Sequence, residues 1–509
     1  MTITFQQLLE GAEVLEQSGN PSVGGVEYDS RQVKPGEVFV ALRGELSDGN
    51  KFIDQAIVAG AVAIVSDSPT EKARTGVAWA QVPPGRRALA RLSANFYHRP
   101  AERLAMTGIT GTNGKSTVAF LVEAILAVSG RESALIGTIE YHVAGKVLPA
   151  PHTTPEALDL NRLLSEALGQ GATEAVMEVS SHALAQQRVY GIPFDTAVFT
   201  NLTRDHLDYH HTMVEYFASK QMLFEGCGTD APRAAVLNTD DEYGQKLVKV
   251  SKKRSAEVLT YGLTKGDFRA EKVEITPRGT RFDLVTPKGV IPLFSPLIGK
   301  VNVYNILAAA GAAYGRSCGA EAIAQGVAAL THVPGRFERV DCKQPFTLVV
   351  DYAHTDDALR NLTALARDFV QRAGKKGRVI TVFGCGGDRD RAKRPLMGEA
   401  AGRGSDFVVL TSDNPRSEDP LAIINDAMVG LQRSGAKYKV ESDRRAAIAL
   451  AIREAAPGDI VLVAGKGHER VQISREGPIA FDDVQVALEE LRQAGYECES
   501  ARAAAGENA

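Results

Sequence analysis

The chain has 509 residues, 44% of them hydrophobic and 24% charged, with 58 Lys and Arg against 62 Asp and Glu for a net charge of −4. That length suggests about three domains, and the near balance of charge argues against a dedicated nucleic-acid or anionic-membrane binder, which carries a basic excess. Cys227, Cys318, Cys342, Cys385 and Cys498 are widely spaced with no CxxC pair, so reduced, buried thiols are expected rather than a disulfide framework or a zinc site.

The first residues lack the basic start and apolar core of a signal peptide. The longest apolar run, residues 56–65, is too short to span a bilayer and contains Gly60. A cytoplasmic monomer without membrane or nucleic-acid partners is the expectation. Residues 1–100 read as a small α/β domain, with buried strands at 38–42 and 61–65 around a helix near 52–59. Tyr28-Asp29-Ser30-Arg31 and Gly44-Glu45-Leu46-Ser47-Asp48-Gly49 are polar clusters at strand ends, where ligands of α/β sheets tend to sit. Taken alone they read as ordinary turns. Tyr97-His98-Arg99-Pro100 marks a linker.

The second domain, 101–337, opens on an apolar strand at 104–106 and then Thr107-Gly108-Ile109-Thr110-Gly111-Thr112-Asn113-Gly114-Lys115-Ser116-Thr117. Val118, Leu121, Ala124, Ile125 and Val128 follow on one helical face. Strand, glycine-rich turn and helix in this order form a phosphate cradle, in which backbone N–H groups and the helix dipole meet the anion. Lys115 supplies a mobile charge for the β- and γ-phosphates, and Ser116 or Thr117 a hydroxyl for Mg²⁺. The strict P-loop spacing wants glycine at 109, where this chain has Ile109, with glycines at 108 and 111. Further on, one apolar strand runs through Met177-Glu178-Val179-Ser180-Ser181-His182, and another ends at Asn201-Leu202-Thr203-Arg204-Asp205-His206. Mg²⁺ prefers oxygen ligands and retains waters, so Glu178 is the natural ligand and His206 an auxiliary one. Asn302 and Asn305 precede an Ala-rich helix and read as caps, with amides for a base as the other option.

The third domain, 338–509, again alternates strand and helix after the linker Val333-Pro334-Gly335-Arg336. Its apolar strands deliver polar groups at their ends: Asp351 and His354, then Gly386-Gly387-Asp388-Arg389-Asp390, Asp413-Asn414-Pro415-Arg416 and Gly465-Lys466-Gly467-His468-Glu469. Several strands presenting charge at their carboxyl ends form a second binding crevice. The small, polar tail, 501–509, is expected to be disordered. The fold class is therefore α/β: three α/β domains, with a central P-loop-type mononucleotide-binding parallel sheet and a Rossmann-like C-terminal domain.

Thr110-Gly-Thr-Asn-Gly-Lys-Ser-Thr117, Met177-Glu-Val-Ser-Ser-His182, Asp205-His-Leu-Asp208, Val350-Asp-Tyr-Ala-His354 and Asp413-Asn-Pro-Arg416 together resemble the Mur ligases over nearly the whole chain. The resemblance accounts for the loop spacing, since that family's loop is Gly-Thr-Asn-Gly-Lys-[Ser/Thr]. It implies that Gly111, Thr112, Asn113, Gly114, Lys115, Ser116, Thr117, Asn302, Asn305, Arg336 and Asp351 bind ATP, which displaces capping as the role of the asparagines. It implies that Tyr28, Ser30, Glu45, Leu46 and Ser47 hold a uridine diphosphate. Thr153, Thr154, Ser180, Gln186 and Arg188 then surround the attached muramoyl peptide. Arg389, Asp413, Asn414, Pro415, Arg416, Gly465 and Glu469 would bind meso-diaminopimelate. Ser116, Glu178, His206 and Lys220 would ligate Mg²⁺, with Lys220 carried as a carbamate (N6-carboxylysine) although alone it reads as a surface lysine. The catalytic set is Lys115, Glu178, His206 and Lys220. Asp356 and His152 depart from the pattern and flank matched residues.

The activity so implied is ATP-dependent amide-bond formation between UDP-N-acetylmuramoyl-L-alanyl-D-glutamate and meso-diaminopimelate through an acyl phosphate. That is a step in peptidoglycan synthesis, and through it in cell shape and division. A folylpolyglutamate synthetase shares the ATP core, but the first domain with Asp29-Ser30-Arg31 argues against it. A non-catalytic P-loop protein has no use for Glu178, His206 and Lys220 together.

Overall fold

Three sheets rich in Val, Ile and Ala organise the chain, which the computed structural model describes for residues 2–44, 47–68, 77–254, 257–372 and 377–498. Glu45, Leu46 and the tail 501–509 lie outside the described residues.

The first sheet takes β1 (Glu16–Ser18), β2 (Gly25–Glu27), β3 (Glu37–Ala41), β4 (Ala63–Ser66) and β5 (Ala78–Gln81) in the order β1-β5-β4-β3-β2. Helix α1 (Gly85–Phe96) packs Ala88, Leu89 and Leu92 onto it.

In the second sheet, β6 (Ala105–Thr110) is followed by the phosphate loop and α2 (Lys115–Val128). Next come β7 (Ser133–Ile136), β8 (Glu140–Val143), β9 (Lys146–Pro149), α3 (Ala157–Gly169), β10 (Glu174–Glu178) and α4 (Ser181–Ala185). The remaining elements are β11 (Phe194–Phe199), α5 (Met213–Glu225), β12 (Ala234–Asn238) and β13 (Glu257–Tyr261). The order is β9-β8-β7-β10-β6-β11-β12-β13, parallel apart from the β8–β9 hairpin at one edge. Helices cover both faces. Val176 and Val198 point into one core with α2, while Met177 and Phe199 point into the other with α3 and α5, which is why these strands read as continuous apolar runs.

Helix α2 is more enclosed than a single stripe implies. Ala119, Phe120, Val122 and Leu126 are buried together with Val118, Leu121 and Ile125, whereas Val128 is 40% exposed. The additional cover comes from α6 (Lys300–Gly315) and the helix Ala320–Ala329. Three antiparallel strands, Arg269–Thr276, Gly279–Thr286 and Gly289–Ser295, break the expected strand–helix alternation. They turn at Gly279 (φ 137°) and Gly289 (φ 132°), where a tight reversal needs glycine.

The third sheet contains β14 (Glu338–Val340), β15 (Thr347–Asp351), β16 (Val379–Phe383), β17 (Phe407–Leu410), β18 (Tyr438–Val440) and β19 (Ile460–Ala464), in the order β14-β15-β19-β16-β17-β18. Only β14 is antiparallel to its neighbour. A hairpin, β20 (Val471–Ser474) and β21 (Gly477–Ala480), follows β19, and α9 (Asp483–Gln493) closes the described chain after α7 (Asp356–Arg372) and α8 (Arg444–Glu454). Cys342 and Cys498 are joined as a disulfide, which corrects the expectation of five thiols; Cys227, Cys318 and Cys385 are free and buried. The pairing follows from α9 packing beside β14, with Tyr496 edge-on to Phe346, so that residues 156 apart in sequence meet.

Candidate active site

The carboxyl ends of the second and third sheets face one another across a cavity of about 500 Å³. The phosphate loop forms one wall. Gly111 (φ 149°) and Gly114 (φ 90°) occupy backbone conformations open to glycine, and a Cβ at Gly114 would strike Asn305 Oδ1. The loop is pinned by Asn201, whose carbonyl accepts from Thr112 N at 2.9 Å and whose Oδ1 accepts from Asn113 N at 3.0 Å. Lys115 Nζ folds back onto the carbonyls of Gly111 (3.1 Å) and Thr112 (2.9 Å). Burial and Arg336 lower its pKa against the opposing pull of Glu178 and Asp205.

Glu178 ends β10 with its carboxylate buried. Thr138, which follows β7, holds both oxygens: its N–H donates to Oε1 at 2.8 Å and its hydroxyl to Oε2 at 2.9 Å. Ser116 Oγ accepts from Arg336 at 3.3 Å. Burial lowers the pKa of His206 to about 3, despite Asp205 beside it, so the ring is neutral and able to act as a ligand. Lys220, on α5, is buried behind the loop with Nζ donating to Gly111 O at 2.8 Å and lying over the Tyr216 ring. Desolvation, then Lys115, push its pKa well below the usual lysine range. Among the described residues no three His, Cys, Asp or Glu side chains are grouped to hold a metal unaided. A carboxylate and a hydroxyl beside a phosphate loop nevertheless fit Mg²⁺, which shares its shell with phosphate oxygens and water.

A second cavity of about 380 Å³ lies on the other side of the loop. Asn113, Thr117, Asn302, Asn305, Arg336 and Asp351 all line it. Gly299, not either asparagine, is the N-cap of α6, so the expected capping role is corrected. Asn302 Nδ2 donates to Ile298 O at 2.8 Å, and Asn305 Nδ2 donates to Asn302 Oδ1 at 3.0 Å. Asn302 lies in the first turn of the helix and Asn305 in the second, with Asn305 Oδ1 against Gly114 of the loop. Asp351 accepts from Phe337 N (2.7 Å) and Ala353 N (2.8 Å), and burial raises its pKa.

Thr153, Thr154, Ser180, Gln186 and Arg188 line the first cavity on the side of the first domain. Arg188 bonds Thr154 O at 2.9 Å and Gln186 Oε1 at 2.7 Å, and pairs with Glu156 at 3.0 Å. Tyr28, Ser30 and Ser47 stand apart from this cavity. Tyr28 donates to Asp159 on α3 at 2.9 Å, Ser30 to Gln55 at 3.2 Å, and Ser47 O accepts from Gly44 N. His152 lines the cavity and its carbonyl accepts from the Tyr141 hydroxyl, while Asp356 is paired to Arg360 within α7.

Arg389, Asp413, Asn414, Arg416, Gly465 and Glu469 form the opposite wall. Pro415 is not part of that lining; its carbonyl packs on Gly387 and shapes the turn. Arg416 (φ 52°) donates through NH1 to Gly387 O at 2.7 Å, and its pKa is lowered by burial and by Arg389. Desolvation works against ionising Asp413, but Lys466 and Arg444 prevail and hold its carboxyl below the usual range. A Cβ at Gly465 (φ 118°) would stand 2.6 Å from Asp413 Oδ2.

Several cavity residues carry roles that no sequence motif marks. Thr138 orients Glu178. Buried Asp205 ties the second domain to the third through His354 (3.6 Å) and Lys393 (3.4 Å); the adjoining His206 ring, Lys393 and a hydrogen bond with His354 hold its carboxyl well below the ordinary range against the cost of burial. Asn113 also reaches Asp357 at the start of α7 at 3.2 Å. The only sequence signal for these contacts is polar residues clustered at strand ends.

Three domain families match the chain in order: Mur ligase family, catalytic domain, over residues 22–97; Mur ligase middle domain, over 109–313; and Mur ligase, glutamate ligase domain, over 335–467. The chain is 56% identical over 478 residues to the UDP-N-acetylmuramoyl-L-alanyl-D-glutamate–2,6-diaminopimelate ligase of Solibacter usitatus, covering 93% of this chain and 94% of that protein. A solved structure of a UDP-N-acetylmuramoyl-L-alanyl-D-glutamate–2,6-diaminopimelate ligase superposes with a TM-score of 0.67 at 34% identity, covering 97% and 99% of the two chains. The MurF ligase of Thermotoga maritima in complex with ADP shares the fold at a TM-score of 0.62 and 19% identity, covering 92% and 97%.

Proposed function

The chain belongs to the Mur ligase family, and we propose that it joins meso-diaminopimelate to UDP-N-acetylmuramoyl-L-alanyl-D-glutamate at the expense of ATP, in peptidoglycan precursor synthesis. The observation that carries this reading is the meeting of three recognition surfaces in one cavity. They are the phosphate loop with Lys115, the Arg188 cluster, and the Arg416–Glu469 wall.

The γ-carboxylate of the glutamyl residue attacks the γ-phosphorus of ATP, ADP leaves, and an acyl phosphate remains. An amine of diaminopimelate then attacks the acyl carbon, the amide bond forms, phosphate departs and the nitrogen loses a proton. Lys115 exchanges its carbonyl partners for phosphate oxygens and offsets charge that develops in transfer. Arg188, Thr153, Thr154, Ser180 and Gln186 hold the muramoyl peptide, and Tyr28, Ser30, Glu45, Leu46 and Ser47 the uridine end. The slot beside Asn302, Asn305, Arg336 and Asp351 takes the nucleoside of ATP.

Glu178, His206, Ser116 and a carbamylated Lys220 would hold Mg²⁺. When bound, it offsets the repulsion between a carboxylate and a triphosphate. The burial that disfavours the Lys220 ammonium favours the neutral amine, the form that adds CO₂ and releases a proton to give an anionic oxygen donor. Arg389 and Arg416 face the distal carboxylate of diaminopimelate, with Asp413 and Glu469 accepting from its ammonium, Asn414 beside them and Gly465 leaving room. Bridging contacts of Asp205 and Asn113 to the third domain support a closed arrangement that excludes water from the acyl phosphate. The enzyme works as a cytoplasmic monomer in this reading; among the described residues no helix is long and apolar enough to cross a membrane.

The test is phosphate release in the presence of ATP, Mg²⁺, UDP-N-acetylmuramoyl-L-alanyl-D-glutamate and a panel of amino acids. Release that depends on both the nucleotide peptide and diaminopimelate is expected. Release indifferent to either overturns the proposal.

A further inference from the structure

Lys466 is fully buried, with none of its side chain exposed. Burying a charge is costly unless it is paired and hydrogen-bonded, so the choice of partners shows what such a residue serves. The third domain offers a contrast. Arg444 and Asp483, also fully buried, form a two-pronged pair at 2.7 Å, with Arg444 further bonded to Ala464 O, and neither lines the cavity. Their role is to join α8, β19 and α9. Lys466 does the opposite. Its Nζ donates to Asn414 Oδ1 at 3.0 Å and to Glu469 Oε2 at 2.9 Å, and it is the foremost cation acting on Asp413. All three partners line the cavity, and Lys466 itself does not.

The details are directional. Asn414 Oδ1 takes bonds from Lys466 and from Ile473 N at 2.9 Å, which fixes the amide and turns its Nδ2 toward Glu469 Oε2 at 2.8 Å. Glu469 Oε2 is therefore occupied twice, by Lys466 and Asn414, while Oε1 accepts no such bond among the described residues. Asp413 and Glu469 are two carboxylates on one wall, where like charges repel. A fixed cation beside both offsets that repulsion.

We propose that Lys466 is a positioning residue that sets amino-acid specificity: by orienting Glu469 and Asn414 it makes the subsite select an acceptor bearing an ammonium and a carboxylate on the same distal carbon. The inference rests on the ligase reading above. Without Lys466, the wall carries an extra net negative charge, which weakens the hold on a distal carboxylate and favours a simple amine.

The experiment compares kcat and KM for meso-diaminopimelate and L-lysine in wild type, Lys466→Met, Glu469→Gln and the double variant, with ATP and nucleotide-peptide KM measured alongside. Wild-type ligation of diaminopimelate is the control for the underlying reading, and its absence would refute that reading instead. In Lys466→Met, KM for diaminopimelate is expected to rise tenfold or more and its preference over lysine to shrink by a similar factor. KM for ATP and for the nucleotide peptide is expected to stay within twofold. The double variant removes one charge of each sign and guards against a fold lost through an uncompensated charge. Acting through Glu469, Lys466→Met should add little to the loss already caused by Glu469→Gln. An unchanged diaminopimelate KM and preference in Lys466→Met, a parallel rise in the KM of all three substrates, or additive losses in the double variant would each overturn the assignment.

Discussion

Replacing Arg416 by alanine should separate the choice of amino acid from the chemistry of the proposed ligation. The guanidinium is partly buried, donates one bond to Gly387 O at 2.7 Å, and feels Arg389 against the opposing pull of Asp413, Glu469 and Asp388. Among the described residues none forms an ion pair with it, which leaves its fork open to a carboxylate. Meso-diaminopimelate brings that carboxylate on its distal carbon and L-lysine does not. A planar guanidinium meets a carboxylate in two parallel bonds, and a hydrogen bond to a charged group is worth about 1.5–3 kcal/mol. Loss of 2–3 kcal/mol corresponds to roughly a 30- to 150-fold fall in preference. The backbone contributes little to the comparison, because residue 416 already sits at φ 52° and alanine meets the same left-handed cost. The assay is kcat/KM for both amino acids in wild type, Arg416→Ala and Arg416→Lys. Alanine should abolish most of the preference, and lysine, lacking the fork, should restore only part of it. Equal use of the two amino acids by the wild type, or an undiminished preference in Arg416→Ala, would refute the reasoning.

Lys115→Ala should fold normally, by circular dichroism and thermal melting, and lose on the order of 10²–10³ in turnover; near-normal turnover would remove the phosphate loop from the mechanism. Lys220→Ala should be nearly inactive and regain part of its activity with added short carboxylates that occupy the carbamate's position, whereas full activity without rescue would discount the carbamate. His142 yields a pH prediction away from the site. Burial lowers its pKa, but hydrogen bonds to Glu123 (2.7 Å) and Glu140 (3.0 Å) prevail and raise it to about 9. The folded value exceeds the unfolded one of 6.5, so the stabilisation is fully present below about pH 6.5 and is lost as pH rises through about 9, on the order of 1–3 kcal/mol. The thermal midpoint should therefore fall more between pH 6 and pH 9.5 in wild type than in His142→Gln, and identical slopes would discard the triad as a stabilising element.

Sequence alone determined what is local. The apolar runs at 174–178, 379–383 and 460–464 are strands because continuous Val, Ile and Ala suit a sheet covered on both faces. Gly-Thr-Asn-Gly-Lys-Ser-Thr reads as a glycine-rich turn from strand to helix, and the strand Ala105–Thr110 and helix Lys115–Val128 flank it. Tertiary structure decided the rest, because burial and partners depend on what folds over a residue. Lys220 looks like a solvated helix lysine until α5 buries it against Gly111 O. Asn302 and Asn305 look like caps until Gly299 takes the N-cap and the asparagines turn toward the loop. Cys342 and Cys498 look like distant thiols until α9 lays one beside the other. Lys466 shows the limit most clearly. In sequence it is one lysine among glycines, and only the packing of β19 against the Asp413–Arg416 turn and the β20–β21 hairpin turns it into a buried cation whose charge cannot be screened by water.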